Sequence, residues 1–473
     1  MIVQGLEAQP KPLLLPMSNS TQRSDPRGEV TSSCIGCVET SGQSGRITVY
    51  TDYSLIKELV EVEIANSSDP SLSTSSCPFT SRYRFIESRE DADFLFILEH
   101  VRDFVRFPRL QRVCQFPFEG GLVCKDLLPL TVRKYSYLHL EDDQGQLVQA
   151  EPFWWLPCYD MSTEFHLFAQ EYENLRIAEA MSTDTVYRNS WILKPAKLAQ
   201  GKGHRVFSSR QSSLKDIATF VYEEELEEGG KGDRVAQQLV SKPALIRGRK
   251  MDLRLLVVVR SFMEPFEAFM CEYYYARLAN KPYDAKHLGD SEIVLTVNAY
   301  NEDDSIASKQ ERVSYENLAS ELGLDDIVVD EVTGEATSRF QILERSIIDM
   351  MSHLFSSSGR SIGVWPQSSA YYCVDVILDW DWDASQSKCN HIMFNVDRFR
   401  KMKIPVPKLI EINFMGDFHA FEMAMMKLPY HDETNKISAF HHFAAEVLHC
   451  MVSKDPNPRG FARLCDMSAL ASG

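Results

Sequence analysis

The chain has 473 residues, of which 44% are hydrophobic and 25% charged, and a formal charge of −17. That length suits about three domains, or two with insertions, and buries roughly three quarters of the unfolded surface. The composition excludes a wholly disordered or fibrous protein. The acidic balance argues against nucleic acid as a partner, since that binding needs basic surface to displace counterions. No apolar run approaches the roughly 18 residues of a membrane helix, so no membrane partner is expected. Pro16 and polar residues soon follow Leu13, Leu14 and Leu15, so no secretory signal is expected and the cytoplasm is the expected location. The 11 cysteines are spread thinly, as reduced thiols in a reducing compartment are.

Residues 1–45 are rich in Ser, Thr, Gly and Pro and are expected to be a disordered tail. Cys34 and Cys37 form one C-x-x-C within it, with no second pair at zinc-finger spacing. A small α/β domain is expected over 46–148. It has a strand at Ile47 to Tyr50, a helix from Ser54 through Val60, a Ser-rich loop from Asn66 to Cys77, a strand at Tyr83 to Ile86 and a helix–strand signal in ESREDADFLFIL. A central domain is expected over 149–245. Aromatic residues Phe153 to Leu156 lead to a helix from Thr163 to Ala180, the strand SWILKP and the loop AKLAQGKGHRV. An exposed acidic loop, EEELEEGGKGD, then precedes a strand at Val235 to Val240. Over 246–440 follow the strand DLRLLVVV, an acidic stretch from Glu302 to Glu335, a helix from Phe340 to Phe355, and the strands YYCVDVILDW and KLIEINF. The polar segment Ala384 to Pro407 reads as an insertion, and 441–473 as a helix and tail, with His441 and His442 flanking an amphipathic helix. The mixture is an α/β (α+β) architecture.

Three strands carry polar side chains where apolar ones are usual. In KLIEINF the period of two puts Ile410, Ile412 and Phe414 on one face and Glu411 with Asn413 on the other. Two oxygen donors two residues apart on a strand suit a hard cation such as Mg²⁺, or simply a half-exposed sheet face. In KMDLRLLVVV, Lys250, Asp252 and Arg254 share a face and need each other or a charged ligand. Asp375 lies within the apolar part of its strand and is a candidate metal ligand, whereas Asp379, Asp381 and Asp383 near its end read as solvated. Gly201, Lys202 and Gly203 follow the Lys194 strand, and such glycines let backbone N–H groups approach phosphate. Five basic residues between Lys242 and Arg254, and five between Arg398 and Lys408, form two islands. These face phosphates or an acidic partner, or are solvated turns.

Together these strands are similar to those of the ATP-grasp enzymes, and more narrowly the chain resembles the tubulin tyrosine ligase-like family. The resemblance rests on FPFEGGLVCKDLL, SWILKPAKLAQGKGHRV, VAQQLVSKP, KMDLRLLVVV, YYYARLANKPY and KLIEINF. RITVYTD, EPFWWLPCYD and SSAYYCVDVILDWD look most like one of its members. The matches run in order from about Arg46 to Tyr430, with too little sequence upstream for the additional N-terminal domain expected of that member in animals. The resemblance implies an ATP-grasp fold, ATP and Mg²⁺ as cofactors, and Lys125 and Lys194 as ATP-contacting lysines. It implies an adenine hinge at Gln237, Gln238, Leu239 and Val240, held partly by backbone groups. Lys250, Asp252 and Arg254 match the strand beside the terminal phosphate, Arg277 the arginine beyond it, and Asp375, Glu411 and Asn413 the magnesium ligands. Catalysis would fall to Lys250, Arg254 and Arg277.

The implied activity is an ATP-dependent carboxylate–amine ligase that adds a free amino acid to tubulin through an acylphosphate, with the acidic tubulin tail suiting the basic islands. Two departures bear on it. The family's His-Leu-Thr-Asn becomes Val294-Leu295-Thr296-Val297, and its Asn-Thr-Ser-Pro-Ser-Leu becomes NFMGDF. Gln238 also stands where lysine is common. The first two losses lie toward acceptor and amino-acid handling. The alternative expectation is therefore a pseudo-ligase that binds nucleotide and a partner, tubulin or histone. In either case the expected location is the cytoplasm, with microtubules or also the nucleus as further places.

Overall fold

The computed structural model describes residues 46–67, 83–107, 111–141, 147–182, 188–196, 198, 201–223, 233–296, 310–330, 334–363, 365–382, 396–416, 418, 421, 429–431, 437–439, 443–453, 458 and 460–467. The N-terminal tail, Cys34 and Cys37, Asp383, His441 and His442, and most of the Ser-rich and acidic Gly-rich loops lie outside them.

Short apolar runs build the first sheet. Strand β1 (Ile47–Thr51) leads into helix α1 (Ser54–Ser67), then β2 (Tyr83–Phe85), β3 (Phe94–Phe96) and β4 (Arg112–Val113), in the order β2-β1-β3-β4. All its pairings are parallel, and Phe94, Leu95 and Phe96 are fully buried, as parallel strands covered on both faces require. The helix expected in 87–93 is replaced by bends and turns. The Asp93 carboxylate accepts from the Thr48 N–H and hydroxyl, both at 2.8 Å, a local bond that competes with helix formation. Helices α2 (Gly120–Val123) and α3 (Leu127–Tyr135) follow, then the hairpin β5 (Leu138–Glu141) and β6 (Leu147–Ala150).

The second sheet comprises β7 (Cys158–Asp160), β8 (Ser190–Pro195), β9 (Arg205–Ser208) and β10 (Arg234–Gln238), with helices α4 (Phe165–Met181) and α5 (Leu214–Tyr222). It is antiparallel, in the order β7-β10-β8-β9. Trp191 and Leu193 of β8 pack with Phe168, Tyr172, Ile217 and Phe220 on one face, which leaves Ile192 and Lys194 for the other. Ser213 and Asp216 cap α5 reciprocally, worth about 1 kcal/mol.

The largest sheet is built on β12 (Arg249–Ser261), with β11 (Leu245–Ile246), β13 (Glu267–Cys271), β14 (Tyr275–Leu278), β15 (Arg312–Ser314), β18 (Ala370–Asp379), β19 (Val406–Phe414) and β22 (Phe461–Arg463). Between them lie α6 (Ser291–Val294), α7 (Tyr315–Leu322), the hairpin β16 (Ile327–Val329) and β17 (Ala336–Ser338), α8 (Arg339–Ser358), α9 (Val396–Met402), the hairpin β20 (Pro429–His431) and β21 (Ile437–Ala439), and α10 (Phe443–Val452). The β-branched run Val257 to Val259 stiffens β12, which pairs antiparallel with β14 and β13 on one edge and β18 on the other. Met251, Leu253 and Leu255 join the core beneath, where α8 packs. Helix α10 is not amphipathic, because all ten of its residues are buried, Glu446 and His449 included. It fills the core shared with the first sheet, and the Tyr83 hydroxyl lies 3.0 Å from His449 Nδ1. Among the described residues no helix is long and apolar enough to cross a membrane.

Candidate nucleotide and metal site

The alternation that puts Met251 and Leu253 into the core turns Lys250, Asp252 and Arg254 into a cavity of about 380 Å³, within the roughly 300–1,000 Å³ of small-molecule sites. The same rule on β8 delivers Ile192 and Lys194, and on β18 Asp375 and Ile377. Arg277 of β14 stands opposite Asp252 in register. Lys125, at the start of the α3 region, completes a set of five cations against three carboxylates lining the cavity.

The charges hold one another closely. Arg254 donates from Nε and Nη2 to the two oxygens of Asp375, each at 2.8 Å. Arg277 makes the same two-point contact with Asp252 at 2.7 Å and reaches Asp375 at 2.8 Å. The Thr296 hydroxyl donates to Asp252. Burial would raise the Asp375 carboxyl, but Arg254 and Arg277 hold it well below the usual carboxylate range. Burial raises Asp252, with Arg277 pulling the other way. Lys194 donates to Gln237 Oε1 at 2.7 Å, and Lys250 to the Val294 carbonyl at 2.9 Å. Burial pushes Lys250 down to about 8, with Asp252 opposing and Lys194 adding to the shift. Lys125 donates to the Leu198 carbonyl at 2.8 Å and so ties down the glycine loop.

Strand β19 departs from strict alternation. Asp375 pairs with Glu411, but the next residue, Val376, pairs with Leu409, so Ile410 is the extra residue of a β-bulge. Ile410 therefore lines the cavity alongside Glu411 and Asn413, although the period of two puts it on the opposite face. It packs with Leu156, Val240 and Ile377 to make one apolar wall. Gln237, Gln238, Leu239 and Val240 all line the cavity, but Leu239 and Val240 lie beyond the end of β10. The side chain of Gln237 is turned inward, donating to the Ile410 carbonyl at 3.2 Å, and that of Gln238 donates to the Arg188 carbonyl at 3.0 Å. The backbone N–H of Gln238 bonds Pro157 O and that of Leu239 bonds Ser190 O, both at 2.9 Å.

Of the glycine loop, Gly201 reaches the cavity, whereas Lys202 and Gly203 do not. Gly201 and Gly203 have φ of 76° and 66°, a left-handed turn open to glycine that carries Lys202 and Gly203 to the exposed side. Asp379 and Asp381 are buried rather than solvated. Asp381 accepts from Arg188 at 3.0 Å and Ser241 at 2.6 Å, and Asp379 accepts from the Lys242 N–H at 3.2 Å. Much of the two basic islands is already engaged. Arg247 and Arg249 pair with Glu311, Lys250 and Arg254 face the cavity, Arg398 pairs with Asp330 at 3.2 Å, and Lys408 donates to the Phe153 carbonyl. Sequence reasoning missed Leu156, Ile377 and Ile410, which read like any core residue, and His204, a lone histidine next to the glycine loop.

A divalent cation suits one end of the cavity. Asn413 Nδ2 lies 3.4 Å from Asp375 Oδ2 and 3.3 Å from Glu411 Oε1, so a partly positive N–H already sits between two carboxylates. Turning the amide presents its oxygen, giving three hard oxygen donors of the kind Mg²⁺ takes. Among the described residues no group of three or more His, Cys, Asp or Glu forms a metal cage, so such an ion would also need oxygens from its ligand.

Two facing sheets, a cationic cavity between them and a carboxylate–amide end define the ATP-grasp architecture. Residues 105–429, more than half of the chain, match the tubulin-tyrosine ligase family, and the chain belongs to that family. It is 24% identical to mouse tubulin–tyrosine ligase-like protein 12 over 351 residues, covering 71% of this chain and 45% of that protein. The human protein of that name gives the same figures. The probable tubulin polyglutamylase ttll-9 of Caenorhabditis elegans is 29% identical over 193 residues, or 40% of this chain and 42% of that protein. The chain spans less than half the length of these relatives.

Proposed function

We propose that the cavity binds ATP with Mg²⁺ and that the protein is a carboxylate–amine ligase adding an amino acid to the acidic C-terminal tail of tubulin, in the cytoplasm. The observation that carries this reading is the placement of Lys194, Lys250, Arg254 and Arg277 against Asp375, Glu411 and Asn413 in one cavity. Polyphosphate needs cations around it and oxygens around its metal, and positioning supplies most of the catalysis of phosphoryl transfer. The apolar wall of Leu156, Val240, Ile377 and Ile410 suits a planar base. Asp375, Glu411 and Asn413 would hold Mg²⁺, whose chemistry is to neutralise charge on the phosphates. Lys194 and Lys250 would hold phosphate oxygens, and Arg254 and Arg277 would stabilise the charge that develops as the acceptor carboxylate takes the γ-phosphoryl group of ATP, releasing ADP, and as the amine then displaces phosphate from the acylphosphate to leave an amide. The test is incubation with ATP, Mg²⁺, tubulin and labelled amino acids, scored by mass spectrometry of the tubulin tail.

One observation favours a second reading, a nucleotide-binding scaffold for tubulin or histone. Val294 and Leu295 line the cavity where the family pattern has a histidine and a leucine, so one polar group for handling the acceptor or amino acid is gone. In that case the same incubation gives Mg-ATP binding without transfer.

A further inference from the structure

His204 is the last residue of the glycine loop before β9 and is among the residues that line the cavity. Neither Nδ1 nor Nε2 has a hydrogen-bond partner, and neither is open to solvent. Native proteins keep few buried polar atoms in that state, and each calls for an explanation. Burial, with Lys194 and then Lys125 adding to it, pushes the imidazole down to about 3. The ring is therefore neutral, with one N–H to give and one bare nitrogen. The same two lysines mark where in the cavity an anion is best received. A neutral N–H beside them adds a donor without adding repulsion between cations.

We propose that His204 is a phosphate-contacting residue: when a nucleoside polyphosphate enters, its ring turns and donates an N–H to a phosphate oxygen beside Lys194 and Lys125. The contact requires movement, because both nitrogens are covered in the ligand-free protein. The left-handed glycines before it, Gly201 and Gly203, leave the backbone free to supply it. The inference rests on the nucleotide reading above and adds to it a residue outside the basic set.

The experiment titrates wild type, His204→Ala and His204→Gln with Mg-ATP and with adenosine by calorimetry, after recording the melting temperature of each free protein. Hydrogen bonds to charged groups lead us to expect His204→Ala to weaken Mg-ATP about ten- to hundredfold. Adenosine affinity should hold within about twofold, and glutamine should recover part of the loss by restoring an N–H. Unchanged Mg-ATP affinity in His204→Ala overturns the proposal. So does an equal loss for Mg-ATP and adenosine, which would place the ring on the base. Should the alanine variant fail to fold, the wild-type imidazole nitrogen resonances decide: a His204 signal that moves with Mg-ATP and not with adenosine supports the contact, and one that moves with neither overturns it. A wild type that binds neither ligand sinks the nucleotide reading itself, and this inference with it.

Discussion

At the scale of single residues, the two carboxylates facing each other across β18 and β19 share the proposed metal end but differ in their other partners. Asp375 is 1% exposed and is the counter-charge to both Arg254 and Arg277. Asp375→Asn keeps the shape and removes that charge, leaving two buried guanidiniums short of a partner, and should cost about 3–5 kcal/mol in denaturant unfolding. Glu411 is half-buried, and its contact is with Asn413 at 3.3 Å. Glu411→Gln should therefore cost less than about 1 kcal/mol and still weaken Mg-ATP. A Glu411→Gln variant that binds Mg-ATP like wild type would remove Glu411 from the metal site. Lys250 adds a pH dependence whose sign is fixed. Its value is about 8 in the folded chain against an ordinary 10.5, so between those limits the unfolded chain binds more protons. The lysine's contribution to stability is thus least favourable below pH 8 and improves as pH rises through that window. Bound polyphosphate favours the ammonium form, so Mg-ATP affinity should fall as pH rises through about 8. Lys250→Met should bind more weakly at neutral pH and show a flatter profile above it, as isothermal titration at several pH values would record.

At the scale of elements, the strands that carry the site were legible and the joints between them were not. Lys194, Lys250, Asp252, Arg254 and Asp375 are charges at alternate positions of apolar strands, and the period of two places them in the cavity. The β-bulge at Ile410 leaves no mark in the sequence, because an extra residue is defined only against its partner strand. Leu156 and Ile377 carry no mark of the site, since an apolar side chain facing a ligand has the same signature as one facing the core. Asp379 and Asp381 read as solvated in the sequence because their partners are remote, Arg188 being 193 positions from Asp381 and Lys242 137 from Asp379. The segment after β19 carries a constraint of its own. Gly416 lines the cavity, and a Cβ there would stand 2.7 Å from Cys373 Cβ and 2.8 Å from its Sγ. Gly416→Ala must push β18 or the turn aside two residues from Asp375, at a cost of about 1–3 kcal/mol. A lowered melting temperature together with weaker Mg-ATP binding is the expected result. A variant with wild-type stability would mean that the turn relaxes freely.

For the whole molecule, charge decides how a tubulin tail can be met. The chain carries −17 overall, and Arg247, Arg249 and Arg398 of the basic islands are already paired with the protein's own acids. If an acidic tail is the acceptor, the net charge opposes its approach, and the five cations that face three carboxylates in the cavity are the local charge that favours it. Mg-ATP should raise the melting temperature in either functional reading, by about 2.7 kcal/mol of stabilisation at a hundredfold excess over its dissociation constant. Transfer separates the readings. A ligase should incorporate a labelled amino acid into tubulin only with Mg-ATP, and should lose that activity on tubulin whose C-terminal tails have been removed by protease. Glu411→Gln is the informative variant, because it disturbs the proposed metal end without unpairing an arginine. Metal-site changes commonly cost ten- to a hundredfold, so its transfer should fall by at least about tenfold while the protein stays folded. Equal transfer by wild type and Glu411→Gln would place the chemistry away from β19. No transfer by wild type to tubulin or histone with any amino acid, while the Mg-ATP shift persists, would leave the cavity as the nucleotide-sensing part of a binding protein.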